Sequence, residues 1–131
     1  MSLYAANNIA KGIRRLARRG DTGLAGVICN STARLQPGYE SFEQQLLQAF
    51  AEALGTTLMG VVPHSPIIQA CEVEGRTVIA HSPQTVEADL FRSLAQKMMD
   101  NTTRIIPTPV DDITDLEALY RGYIPQSNTG A

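Results

Sequence analysis

Apolar residues in the first part of the chain recur at helical spacing. Between residues 3 and 19 they stand mostly three or four positions apart, which predicts a helix with these side chains inward: Leu3, Ala6, Ile9, Ile13, Leu16 and Ala17. The other face is basic, with Lys11, Arg14, Arg15, Arg18 and Arg19, and Gly20 follows as a helix stop. We interpret these charges as a solvated face, and a site for an acidic partner stays open as the alternative.

Two short apolar runs predict buried strands. Residues 23–29 carry Leu24, Val27 and Ile28 and run into Cys29-Asn30-Ser31, and residues 57–62 run into Pro63-His64. Each run is followed by a helical pattern, which favours a parallel α/β sheet. The carboxyl ends of such strands are where α/β sheets bind ligands. The first place to look for a site is therefore the pair of strand ends.

The remaining pattern predicts further helices. One covers residues 41–54, with Ser41 as cap and Gln44 completing a capping box, and ends at Gly55. A short helix follows Ser65-Pro66, a longer one runs from Ser82 to Asp100, and a last one begins at Asp112 or Thr114. In the longer helix we expect Val86, Leu90, Leu94 and Met98 to face inward, with Phe91 as a further candidate.

Three other stretches complete the predicted fold. Residues 77–79 and 104–106 are expected to be extended, and residues 125–131 form a loose polar tail. The order of elements indicates an α/β domain over residues 1–124 with a doubly wound, mainly parallel sheet and flanking helices. Two strands make a poor sheet alone, so the chain has the pattern of half of such a fold, with strand edges that need a neighbour.

Composition places the chain among ordinary globular domains. It has 131 residues, 44% of them hydrophobic and 18% charged, and a net charge of -2, so nothing points to nucleic acid. The apolar runs are too short for a membrane span, and the first residues do not form a signal peptide. Two cysteines give no disulfide framework, which makes the cytoplasm the expected compartment.

Several kinds of catalytic site are excluded by their missing residues. The stretch from Gly55 to Gly60 has the glycine spacing of a phosphate loop, but Val61-Val62 stands where Lys-Ser/Thr is required. There is no G-x-G-x-x-G or C-x-x-C motif, and two cysteines cannot hold a zinc ion or an iron–sulfur cluster within one chain. His64 and His81 have no acidic partner near them in sequence, so a histidine-based reaction is not expected.

The strand ends themselves suit a flat, polar-edged ligand. The side-chain amide of Asn30 donates and accepts hydrogen bonds, as the edge of a purine requires. Pro63, Ile67 and Ile68 would supply an apolar wall for the ring. Asn30 capping its own turn remains the alternative. Cys29 and Cys71 are expected to be small core residues.

The residues also carry a family resemblance. Leu3-Tyr4-Ala5-Ala6-Asn7-Asn8-Ile9, followed by Ile28-Cys29-Asn30-Ser31, closely resembles the nitrogenase iron protein (dinitrogenase reductase) family. Further matches follow in the family's order: Val62-Pro63, Ile68-Gln69 with Glu72, Thr77-Val78-Ile79, Ala88-Asp89, Arg92-Ser93-Leu94-Ala95, Asp100-Asn101, Ile106-Pro107-Thr108-Pro109 and Leu116-Glu117-Ala118-Leu119. The likeness covers residues 1–124.

The resemblance implies a P-loop ATPase that works as a homodimer. Such a dimer holds ATP with magnesium in each subunit and a bridging [4Fe-4S] cluster, and it passes electrons to a nitrogenase-like catalytic component. This sequence resembles only the C-terminal half of the family. The half with the phosphate loop and the cluster cysteines has no counterpart in it, and neither Cys29 nor Cys71 matches a cluster ligand. The chain alone is therefore expected to be inactive.

What the resemblance assigns to these residues is the adenosine side of the ATP site. Asn30 matches the base-contacting residue, Pro63 lines the pocket, and Gln69 and Glu72 help to close it. His64-Ser65 stands where Arg-Asp is usual, Glu87 where Gln is common and Phe91 where Tyr is common. We therefore expect adenosine contacts from Asn30, Pro63, His64, Gln69, Glu72, Glu87 and Phe91, in a divergent, nitrogenase-like paralogue.

The leading expectation is thus part of an ATP-dependent electron-transfer reductase. Three alternatives remain. The chain is a non-catalytic binding or regulatory module that pairs with a separate N-terminal half or a full-length homologue. It is a truncated or degenerate gene product. Or it is half of another P-loop ATPase, of the partitioning or metal-insertion kind.

Overall fold

The fold is read from a computed structural model that describes residues 3–32 and 42–111 and the single positions 115, 118 and 121. Within these ranges the elements follow in the order α1 (Leu3–Ala17), β1 (Val27–Thr32), α2 (Phe42–Leu54), β2 (Leu58–Pro63), α3 (Pro66–Val73), α4 (Val78–His81) and α5 (Val86–Asp100). The predicted alternation of helix and strand is confirmed. Ser41 and most residues of the predicted last helix lie outside the described part, although positions 115, 118 and 121 are helical.

The two strands pair in parallel, as predicted. Ile28 lies opposite Gly60, Cys29 opposite Val61 and Asn30 opposite Val62. In the described part of the chain the sheet consists of these two strands. The α/β class with a small parallel sheet is therefore observed, whereas the complete doubly wound sheet stays a prediction. Strand β1 begins later than expected, at Val27, because Leu24 instead forms an isolated antiparallel bridge with Ile105.

Two groups of buried side chains hold the helices together. In the first, Leu46, Phe50 and Leu54 of α2 pack with Leu3 and Ala10 of α1. The second joins α3, α4 and α5 through Cys71, Val78 and Ala88. Cys29 and Cys71 are both buried, which confirms that they are core residues. Gly55 has φ +89° and ends α2 at the predicted position.

The inward face of α1 differs from the prediction. Leu3, Asn7 and Ala10 are buried, whereas Ile9 and Leu16 are 65% and 54% exposed. The reason is a pair of hydrogen bonds that the apolar pattern does not reveal. Asn7 Nδ2 donates to the Val110 carbonyl oxygen at 2.8 Å, and the Val110 N–H donates to Asn7 Oδ1 at 2.9 Å. A buried amide satisfied in both directions turns that face of the helix inward.

The segment 104–110 is tied to three other parts of the fold. The Leu24 N–H donates to the Ile105 carbonyl oxygen at 2.7 Å, and the Thr108 N–H donates to the Leu54 carbonyl oxygen at 3.0 Å. The Arg104 guanidinium donates to carbonyl oxygens at the end of α1 and just after it, those of Ala17, Gly20 and Thr22. The predicted extended segment at 104–106 is thus reduced to one bridge residue, stabilised from α1, α2 and the loop before β1.

Two local predictions near the middle of the chain were wrong. Residues 77–79 were expected to be extended, but Thr77 caps α4 by accepting a hydrogen bond from the Ala80 N–H at 3.2 Å. The helix expected from Ser82 begins at Val86, because Thr85 is the cap and its hydroxyl accepts from the Ala88 N–H. In each case a threonine starts the helix, as its capping preference allows.

The inward face predicted for α5 is only partly correct. Leu94 is buried and Leu90 is half-buried, but Val86 is 81% exposed and Met98 is exposed as well. Glu87 and Ala88 are buried in their place, and Phe91 is half-buried. The buried face of α5 is therefore rotated from the predicted one at the first turn, where the Glu87 carboxylate lies inside.

Strand β2 lies very close to α5 at Gly60, and replacing this glycine should weaken the fold. A Cβ at Gly60 would lie 2.5 Å from Leu94 Cδ2. We expect Gly60→Ala to lower the free energy of unfolding by about 1–3 kcal/mol, since added atoms force buried neighbours apart. The measurement is the urea unfolding midpoint.

Gly12→Ala is the matched control. No described atom lies within 4 Å of a Cβ placed at Gly12, which is inside α1. This variant should gain roughly 0.5–1 kcal/mol from lost glycine flexibility. Equal stability of the two variants would contradict the close approach of β2 and α5.

Candidate functional site

The carboxyl ends of β1 and β2 meet at one edge of the sheet. Because the strands are parallel, Asn30 lies opposite Val62, and Pro63 lies opposite Thr32. The Asn30 side chain is exposed, Pro63 is half-buried, and His64 directly after it is exposed. An amide, an apolar ring and an imidazole therefore occupy this edge, which we call the rim (Asn30, Pro63 and His64).

The loop after β2 is fixed by a serine below the rim. Ser65 is 1% exposed and is the N-cap of α3. Its Oγ accepts a hydrogen bond from the Ile67 N–H at 3.2 Å and donates one to Glu87 Oε1 at 3.0 Å. Pro66 at the first helical position adds a fixed backbone angle. The turn that carries His64 is thus held at its base.

Glu87 places a carboxylate in the interior beneath this loop. It is only 7% exposed and lies in the first turn of α5. Free N–H groups at a helix N-terminus favour a negative charge, and Ser65 adds a hydrogen bond to it from the α3 cap. A buried carboxylate is costly to leave without such partners. The arrangement links α5, the β2–α3 loop and the start of α3.

The other predicted site residues lie on α3 and α5. The side-chain amide Nε2 of Gln69 is 3.1 Å from His64 Nε2, so these two side chains meet at the surface. Glu72, three residues after Gln69, lies on the same exposed side of α3, and no described residue makes a hydrogen bond to its side chain. Phe91 packs with Ile67 and Ile68 on the cluster formed by Cys71, Val78 and Ala88.

The structure thus brings together the rim with Gln69, and separately Ser65 with Glu87. The link between Ser65 and Glu87 was not foreseen in the sequence. The Ser-Pro pair did indicate a helix start, but a cap says nothing about a donor bond to a residue 22 positions later. Side-chain pairs between separate elements leave no periodic pattern.

His81 has an acidic neighbour that sequence spacing did not suggest. Its Nε2 lies 3.0 Å from Glu74 Oε2, and its Nδ1 lies 2.7 Å from Ser82 Oγ. Glu74 is the C-cap residue of α3, and His81 ends α4. The pair therefore joins the end of one short helix to the end of the next, and it shares no residue with the rim.

The described residues do not fit an iron–sulfur cluster. Clusters of the [4Fe-4S] type are held by four thiolates. Cys29 is buried on β1 and Cys71 is buried in the α3–α5 cluster. Nor do the described ranges contain any group of three or more His, Cys, Asp and Glu side chains placed to hold a metal ion. Both thiols are buried inside the fold.

A comparison with protein-family models matches residues 1–124 to the 4Fe-4S iron sulfur cluster binding proteins of the NifH/frxC family. The chain belongs to this family. The match confirms the resemblance found in the sequence, and it covers every element from α1 to α5. Membership of the NifH/frxC family implies the P-loop fold.

No helix in the described ranges is both long and apolar enough to cross a membrane. The longest, α1 and α5, have 15 residues each, and both carry charged residues.

Removing the Ser65 hydroxyl tests the support beneath the rim. Ser65→Ala removes the α3 cap and one donor to a buried carboxylate, so we expect a loss of about 1–3 kcal/mol in the free energy of unfolding. Thr77→Ala is the control, because it removes a cap bond of the same 3.2 Å length with no carboxylate attached. The measurement is chemical unfolding of both variants.

Glu87→Ala completes the test, because it removes the carboxylate that accepts from the Ser65 hydroxyl. A double-mutant cycle between Ser65→Ala and Glu87→Ala should give a coupling of roughly 0.5–3 kcal/mol. A Ser65→Ala loss no larger than that of Thr77→Ala, with no coupling to Glu87, would contradict the buried link.

Proposed function

We propose that this chain is part of an ATP-dependent electron-transfer reductase of the nitrogenase iron protein type and that it contributes the adenosine side of the ATP site. One observation carries the proposal. The parallel pairing of β1 and β2 brings Asn30 and Pro63-His64 to the same edge of the sheet. Family membership over residues 1–124 supports it.

The rim has the chemistry that a purine ring needs. The exposed Asn30 amide offers one donor and one acceptor side by side, and these match the hydrogen-bonding edge of adenine. Pro63 supplies an apolar surface for the ring face. In this proposal the ribose is bounded by His64 and Gln69, whose side chains are in contact, and by Glu72, which is on α3 with Gln69.

In this proposal Glu87 and Phe91 affect the nucleotide indirectly, through the residues that they contact. Glu87 is engaged with Ser65, and Phe91 with Ile67 and Ile68 at the start of α3. Both therefore set the position of the loop and helix that carry His64, Gln69 and Glu72. Their effect on the nucleotide is that of positioning residues.

The remaining parts of the ATP site would come from elsewhere. Residues 55–62 lack the Lys and Ser/Thr of a phosphate loop, so ATP phosphates and magnesium have no cradle there. We propose that a segment outside residues 1–131, or a second chain, provides the phosphate loop, the cluster thiolates and the other strands of the doubly wound sheet. The assembled protein would form a homodimer that serves a nitrogenase-like catalytic component in the cytoplasm. Neither nucleic acid nor a membrane has a part in this proposal.

The small size of the sheet, two strands in the described part, favours one alternative function. The chain would be a binding module that pairs with a separate N-terminal half or a full-length homologue. In the described part each strand is paired along one edge, and the Lys97 Nζ of α5 donates to the Met59 carbonyl oxygen of β2 at 2.8 Å. The other edge of β1 is the place for a third strand. Co-purification of an N-terminal half from the native cells supports this alternative, and a stable monomer that ignores such a half rejects it.

Replacing Asn30 tests the proposed base contact. In the chain assembled with its phosphate-binding part, Asn30→Ala should weaken ATP binding by about 1–3 kcal/mol through lost hydrogen bonds to the base. The measurement is a calorimetric titration with ATP. Asn8→Ala, an exposed amide on α1, is the control and should bind like the wild type. Unchanged affinity in Asn30→Ala would remove the site.

Replacing the cysteines tests the source of the cluster thiolates. In the same assembly, Cys29→Ala and Cys71→Ala should leave the visible absorbance of the [4Fe-4S] cluster unchanged, because Cys29 is buried in β1 and Cys71 is buried in the cluster of α3, α4 and α5. The unaltered 131-residue chain alone should show neither this absorbance nor ATP hydrolysis. Loss of the cluster in either variant, or ATP hydrolysis by the chain alone, would contradict the proposal that another segment or chain provides the cluster thiolates and the phosphate loop.

A further inference from the structure

One side of α1 forms a concave basic surface. Lys11, Arg14, Arg15 and Arg18 line a cavity of about 370 Å³, whose opposite wall is formed by Thr108, Pro109 and Asp111. Positions 11, 14, 15 and 18 are spaced as neighbours on a helix face. We call this feature the α1 groove (these seven residues). It shares no residue with the rim.

Among the described residues that line the α1 groove, four cations are opposed by one carboxylate. Residues 1–20 contain no Asp or Glu, and the four basic side chains face one carboxylate, that of Asp111. Within the described ranges, Lys11, Arg15 and Arg18 have neither a hydrogen bond nor an ion pair from their side chains. Like charges at i,i+4, as in Lys11 with Arg15, destabilise a helix.

The wall opposite these cations is held in place. Arg14 Nη1 donates to the Pro107 carbonyl oxygen at 3.0 Å, which joins α1 to the wall directly. The two hydrogen bonds between Asn7 and Val110 fix the wall at its other end. Pro107 itself is buried. The groove is therefore preformed, and a ligand would not have to order it.

We propose that the α1 groove binds a compact polyanion with two or more phosphate groups. Arginine forks match phosphate oxygens in pairs, and three of the four cations are arginines. Lys11 and Arg15 are about 6 Å apart along the axis of α1, and Arg18 follows directly after this helix, so their long side chains reach one ligand with several negative charges. The Thr108 hydroxyl adds a neutral donor, and the cavity volume is that of a small-molecule site.

Asp111 makes the site selective in this proposal. Its carboxylate repels an anion, so a ligand must carry enough charge to bind despite it. Four positive charges against one leave a net charge of +3 in the groove. A monoanion gains little there, whereas a polyphosphate neutralises the surplus.

The test is a calorimetric titration of the 131-residue chain with inorganic tripolyphosphate at low salt. Arg15→Gln/Arg18→Gln should weaken binding by about tenfold or more, because two charge-assisted contacts are lost. The control, Arg19→Gln/Arg92→Gln, changes the net charge equally at two exposed arginines outside the groove and should stay within about twofold of the wild type. Circular dichroism confirms that each variant is folded.

A gain-of-affinity variant keeps the result independent of any loss of folding. Asp111 is exposed, and Asp111→Asn should tighten tripolyphosphate binding by about threefold or more by removing the repulsion. Absence of saturable binding, equal weakening in the control pair, or no gain in Asp111→Asn would overturn the site. A hexaglutamate peptide that binds more tightly than tripolyphosphate, with the same dependence on Arg15 and Arg18, would also overturn it in favour of an acidic protein segment.

Discussion

The parallel pairing of β1 with β2 is the constraint on which the rest of the structure depends. It places two strand ends at one edge of the sheet, so that residues more than thirty positions apart in sequence, such as Asn30 and Val62, become neighbours. It also sets where the helices lie, because α2 contacts both strands and α5 lies on β2 at Gly60. The position of the rim therefore follows from the strand topology, and its side chains determine only its chemistry.

The chain puts its buried polar groups at points where separate elements must be joined. Asn7 satisfies both hydrogen-bonding directions of Val110, and Ser65 connects a helix cap to the Glu87 carboxylate. Each of these groups would be costly if left alone, so each one requires specific partners. Apolar packing brings helices together without fixing their rotation, and these amide, hydroxyl and carboxylate groups supply the missing specificity.

Local patterns predicted the elements well and the contacts between them less well. The strands and α2 follow from short apolar runs and a strong helical period, and the strand-end rule located the rim. The rotation of α1 could not be predicted, because it depends on a residue 103 positions away. The same holds for Ser65 and Glu87, and for the wall that turns a basic helix face into a groove. Threonine caps at Thr77 and Thr85 were visible in the sequence, but residues 77–79 were expected to be extended and Ser82 offered an equal cap for α5.

The bonds from α1 to the segment 104–110 also bear on how the chain is made. Asn7 is joined to Val110 across 103 positions, and Arg104 reaches back to the carbonyl oxygen of Ala17 across 87. During synthesis, α1 leaves the ribosome long before its partners exist. The hydrogen bonds from the segment 104–110 to α1 cannot form until about residue 110 has emerged, whereas the apolar side of α1 can pack on α2 before that. Contacts of such long sequence separation slow folding, so the final position of α1 is set late.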